Sequence, residues 1–187
     1  GPFHVALLAN ALRAGEHELP EVARFALLGF ADQLASLSAE IKSLEAQLLA
    51  WHRQSALSQR LQTIPGVGVL TATAMAASIP DATLFRSGRQ FAAFLGLVPK
   101  QNSSGGKERL GRISKMGDPY LRTLLVNGAT SVIRRISNAE GPTAIWIRRL
   151  LEKKPTRLAT VAIANKTARI VWAVMARGEE YRRPAMG

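Results

Sequence analysis

Cysteine is absent from the 187 residues, which excludes disulfides and thiolate metal sites. Histidine is scarce, and His4, His17 and His52 make no metal-ligand spacing. Aromatic residues are only 6%, so a core must rest on Leu, Ile, Val and Ala, for which a 47% hydrophobic content suffices. Acidic residues are few: 13 stand against 25 Lys and Arg, leaving a formal net charge of +12. No uninterrupted apolar run approaches the ~18 residues of a membrane span. No signal-peptide pattern is visible, and nothing points to a membrane. What the chain has is positive charge, and that implies a polyanionic partner, nucleic acid before membrane.

The elements read as nearly all helical, so the expected class is all-α with at most a short β-hairpin. Gly1-Pro2 reads as a cleavage remnant and is set aside, which would make the chain an excised piece of a longer protein. Phe3, Val5, Leu7, Leu8 and Leu12 suit a short helix ended near Gly15. After Pro20, the residues Leu27, Phe30, Leu34, Leu37, Ile41, Leu44, Leu48 and Trp51 recur alternately three and four apart. That is the seam of a coiled coil or of an amphipathic helix, and it suggests self-association as a dimer or higher oligomer. A boundary near 52–60 divides a helical, coiled-coil segment at 3–56 from a globular domain at 57–187.

Ile64-Pro65-Gly66-Val67-Gly68 lies between helical stretches. Pro65-Gly66 stops one helix, and Gly68 is expected to turn the backbone tightly into an Ala-rich second one. Helix-hairpin-helix motifs of this kind grip nucleic-acid backbones without reading sequence. The N–H groups from Gly66 through Val67 and Gly68 to Val69 would offer themselves to a phosphate oxygen at the helix start. It is not a dinucleotide fingerprint, because Thr71 stands in place of the third glycine. Further on, Ser87 suits an N-cap, Asp118-Pro119 suits a helix start, and Gly141-Pro142 opens another helix before Pro155 breaks the chain.

The stretch that stands out is Gln101-Asn102-Ser103-Ser104-Gly105-Gly106-Lys107-Glu108-Arg109-Leu110-Gly111-Arg112-Ile113-Ser114-Lys115. Two hydroxyls meet two glycines, with Lys107, Arg109, Arg112 and Lys115 behind them. Such a segment reads either as a solvated linker or as a phosphate-facing loop with a nucleophile, since clustered cations can hold a phosphate while a hydroxyl attacks it. It is not a nucleotide-hydrolase loop, because Glu108 follows Lys107 where that loop needs Ser or Thr.

These motifs, with Arg89-Gln90-Phe91-Ala92-Ala93-Phe94-Leu95-Gly96-Leu97-Val98-Pro99, Tyr120-Leu121-Arg122-Thr123-Leu124-Leu125 and Ala164-Asn165-Lys166-Thr167-Ala168-Arg169-Ile170, occur in an order that resembles the C-terminal transposase domain of the IS110/IS1111 insertion-sequence family, the bridge-RNA-guided recombinases. The resemblance covers roughly residues 57–177. It implies a DNA transposase whose serine becomes covalently joined to a DNA phosphate. It implies as partners DNA, a structured guide RNA and an N-terminal RuvC-like domain, in a bacterial, cytoplasmic and nucleoid-associated setting. The family's nucleophile lies five residues after the Pro of Gly-Leu-x-Pro, which here is Ser104, with Ser103 as runner-up. Phosphate contacts are expected from Gly66, Val67, Gly68, Lys107, Arg109, Arg112, Lys115 and Arg122. No cofactor and no metal is expected in this chain. The resemblance puts a divalent metal, Mg, in the RuvC-like domain, which is absent here, so the fragment is expected to be inactive alone. Two rival readings stay open, a non-catalytic helix-hairpin-helix nucleic-acid-binding module and an assembly element.

Overall fold

The computed structural model describes residues 2–15, 18–101 and 110–182. Its contacts divide into two compact units, Gly1–Ala50 and Trp51–Gly187. The architecture is all-α, with a single two-stranded sheet among the described residues.

In the first unit, α1 (Pro2–Ala14) ends where Gly15 takes a φ of 75°, a value glycine adopts without penalty. Helix α2 (Glu21–Gln54) starts after Pro20, whose carbonyl accepts the Arg24 N–H at 3.0 Å. An Arg13–Asp32 ion pair joins the two helices, and Ala9 and Leu12 are buried. The seam from Leu27 to Leu48 is not covered: Phe30 is 64% exposed and Ile41 57%.

The second unit opens on a polar network. His52 is buried; its Nε2 donates to Gln62 Oε1 at 2.8 Å, and its Nδ1 pairs with Ser58 Oγ at 2.7 Å. This fixes the end of α2 against α3 (Ala56–Gln62), which Ser55 caps by accepting the Ser58 N–H. Helix α4 (Val69–Ser78) buries Ala72 and Met75. Helix α5 (Gly88–Phe94) is capped by Ser87 and buries Phe91 completely. Such burial is worth about 1.5–3 kcal/mol. Helix α6 (Pro119–Arg134) has Asp118 as N-cap, accepting from the Tyr120 and Leu121 N–H groups at 2.8 and 3.0 Å, with Pro119 at its first position. Removing that acceptor by Asp118→Ala is expected to lower stability by about 1 kcal/mol, read in thermal melts.

Helix α7 (Pro142–Lys153) and helix α8 (Thr156–Arg177) complete the unit. Helix α8 is its axis, packing on α3, α5, α6 and α7. Ala159, Ile163, Ala164, Ala168, Val171 and Val174 form its buried stripe. By length and composition α8 could cross a membrane, a property the sequence reading did not assign to it, but this stripe is the core of the unit. Trp172 Nε1 donates to the carbonyls of Ala82 and Phe85, tying the 3₁₀ turn at 82–84 to α8.

Candidate nucleic-acid interface

The site is a hairpin on a rigid foot. Strands β1 (Pro99–Gln101) and β2 (Leu110–Ile113) are antiparallel, pairing Pro99 with Ile113 and Gln101 with Leu110 through an irregular register. The ladder continues below the strands: Ser114 N–H donates to the Val98 carbonyl at 2.8 Å, and Lys115 N–H to the Gly96 carbonyl at 3.2 Å. Two glycine turns then lock together. Gly96 has φ 70°, and a Cβ there would stand 2.4 Å from the Met116 carbonyl oxygen. Gly117 has φ 111°, and its Cβ would stand 1.7 Å from the Phe94 carbonyl oxygen. Only glycine permits backbone to lie on backbone so closely. Between them Lys115 adopts φ 55°, the left-handed conformation that a non-glycine residue rarely takes.

The expected site residues fare differently. Ser103, Ser104, Lys107 and Arg109 lie outside the described residues. Arg112 and Lys115 are exposed on and just after β2. Arg122 is half-buried and donates from Nη1 to the Leu95 carbonyl at 3.2 Å, so at least one of its donors serves the end of α5.

At the other candidate element, 63–68 joins α3 to α4, and these helices pack together. The tight turn falls at Gly66, with φ 85°, whereas Gly68 has φ −87° and ψ 177°, an extended conformation open to any residue. Gly66 is also in close contact with α6. It lies against Gly128 of α6 so closely that a Cβ on Gly128 would come within 1.9 Å of the Gly66 carbonyl oxygen. Val67 is a correction too: its side chain is buried and its N–H donates to the Ile64 carbonyl at 2.9 Å, leaving none for a phosphate. Gly68 is exposed as the N-cap of α4, with nothing near its Cα. The sequence reading did not assign these roles to Gly96, Gly117 and Gly128, because each is set by a backbone distant in sequence. The only signal in the chain was the glycine itself.

Residues 58–143, which hold most of α3 and all of α4, α5, β1, β2 and α6, match the family described as Transposase IS116/IS110/IS902. A probable family 20 transposase of Pseudomonas aeruginosa is 46% identical over 95% of the chain and 53% of its own length. The transposase for insertion sequence element IS1111A of Coxiella burnetii is 43% identical over 80% of the chain and 41% of its own length. The transposase for insertion sequence element IS1328 of Yersinia enterocolitica is 37% identical over 90% of the chain and 50% of its own length. The chain thus spans about half the length of these relatives. The strands β1 and β2 and nearly all of the α3–α4 pair thus lie in the segment that is similar to the IS116/IS110/IS902 transposase family.

Proposed function

We propose that the chain is the C-terminal part of an insertion-sequence transposase, which binds DNA and supplies Ser104 as the nucleophile for strand cleavage and transfer. The observation that carries this reading is the hairpin foot. The interlocked turns at Gly96 and Gly117 fix both strands that flank the serine segment, and they leave Arg112 and Lys115 exposed beside it. A nucleophile is useful only if its approach is set by a rigid scaffold.

In this reading Ser104 Oγ attacks a backbone phosphorus. A Ser–O–P bond forms as the bond from phosphorus to the 3′-oxygen breaks. The serine proton is lost and the released 3′-oxygen gains one, so charge balances. Lys107, Arg109 and Arg112 offset charge on the pentacoordinate phosphate. Attack by a second strand's 3′-hydroxyl reverses the step and completes transfer. The divalent metal belongs, in this reading, to a RuvC-like domain of the intact protein. Backbone affinity comes from the +12 charge, and choice of DNA site belongs to a guide RNA bound by the intact protein in the bacterial cytoplasm.

The exposed seam of α2 supports self-association. Leu34→Lys with Ile41→Lys is expected to reduce the mass seen by light scattering to that of one chain. An unassociated wild-type chain would refute the role given to the seam. The nucleophile is tested by trapping the protein–DNA adduct with full-length protein, guide RNA and DNA, using Ser104→Ala and Ser103→Ala.

A further inference from the structure

A groove of about 820 Å³ runs along one side of the second unit, on α8. Its floor is the α8 face that carries Asn165, Lys166, Arg169, Ala173 and Arg177, spaced as neighbours on one side of a helix. Its walls are Arg89 at the start of α5, Trp146 of α7 and the segment after α8 with Tyr181 and Arg182. Five cations line it, Arg89, Lys166, Arg169, Arg177 and Arg182, against Glu179 and Glu180. None of the five is ion-paired with a described carboxylate.

A Cβ on Gly88 would lie 3.1 Å from Arg169 Cβ, so α5 begins directly on α8, and Arg89 and Arg169 line the same groove. Lys166 Nζ sits 4.2 Å from the centre of the Trp146 ring, a cation–π contact that holds the ammonium at the groove wall. The segment after α8 is fixed as well, because Arg60 Nη1 donates to the Gly178 carbonyl. Unpaired cations crowded in a cleft repel one another, and an anion relieves that repulsion. Asn165, on the floor, donates from Nδ2 to the Leu97 carbonyl at 3.0 Å, two residues before β1. The groove therefore begins at the foot of the hairpin.

We propose that this groove is a second nucleic-acid contact, binding the sugar–phosphate backbone of a strand and leading it toward the hairpin. It takes the nature of the polyanion from the proposed function but does not need the serine. The test is accordingly made in the Ser104→Ala chain, by fluorescence anisotropy with labelled single-stranded RNA, single-stranded DNA and duplex DNA of equal length over a range of salt. Arg89→Gln with Arg169→Gln is expected to weaken binding of at least one of them roughly tenfold. It should also make the slope of log K against log salt shallower by about 1.4–1.8, as two lost phosphate contacts require. Which of the three responds identifies the source of the strand. Arg177→Gln with Arg182→Gln, at the far end of the groove, repeats the test if the first pair misfolds by circular dichroism. Unchanged affinity and slope for all three nucleic acids in a folded variant overturn the groove alone. If the parent chain binds none of them, the groove and the nucleic-acid reading fall together.

Discussion

Ser104→Ala is expected to abolish the covalent protein–DNA adduct and to reduce strand transfer by about 10³-fold or more, because removing a nucleophile leaves no side chain to form the bond. The measurement is gel retention of labelled DNA after denaturation, with full-length protein and guide RNA. Ser103→Ala should retain the adduct, reduced by the disturbed loop but present. The adjacent serines are chemically identical, so the pair of variants decides by position alone. Should Ser103→Ala lose the adduct and Ser104→Ala keep it, the nucleophile is Ser103. Should both keep it, the chain is a binding and assembly module and the chemistry lies elsewhere. Because the +12 charge supplies sequence-independent affinity without the hydroxyl, DNA binding should survive either substitution.

Gly117→Ala is expected to cause the largest loss of stability of any glycine-to-alanine change among the described residues. The new Cβ would stand 1.7 Å from the Phe94 carbonyl oxygen, and the residue would have to keep a φ of 111°, outside the wells open to alanine. Backbone cannot move aside as a side-chain tip can, so the two turns at the hairpin foot must separate. A loss of about 4 kcal/mol follows, at the upper end for point substitutions. For a domain of this size it lowers the thermal midpoint by roughly 8–16 °C. Gly141→Ala is the control. It has φ 99° but nothing within 4 Å of its added Cβ, so it reports conformational strain without collision. With ψ at 173° that conformation is essentially glycine's own, and the strain alone is worth about 1–3 kcal/mol. If the two variants melt together, the interlock at the foot is not what holds the hairpin.

The meeting of the α3–α4 turn with α6 shows the same physics. The Ile64–Gly68 stretch reads as a platform of free N–H groups. Gly128, whose missing side chain lets α6 come to rest on the Gly66 carbonyl, sets that turn against α6. The Val67 N–H was in turn taken by a local turn bond to the Ile64 carbonyl, which spacing alone did not reveal.

The sequence by itself determined the helices, their ends and the exposed seam of α2, because caps, prolines and three-four spacing act over a few residues. Asp118 with Pro119, Ser87, and Pro142 after Gly141 all stand where those local rules put them. It also determined the excess positive charge and the order of motifs that the family match accords with. Tertiary structure decided which glycines meet, that Arg122 supports α5, and that Arg89, Lys166, Arg169, Arg177 and Arg182 share one groove. These depend on where α5, α6 and α8 come to lie after closing on a common core. No local signal encodes that, since it follows from the packing of buried stripes drawn from the whole second unit.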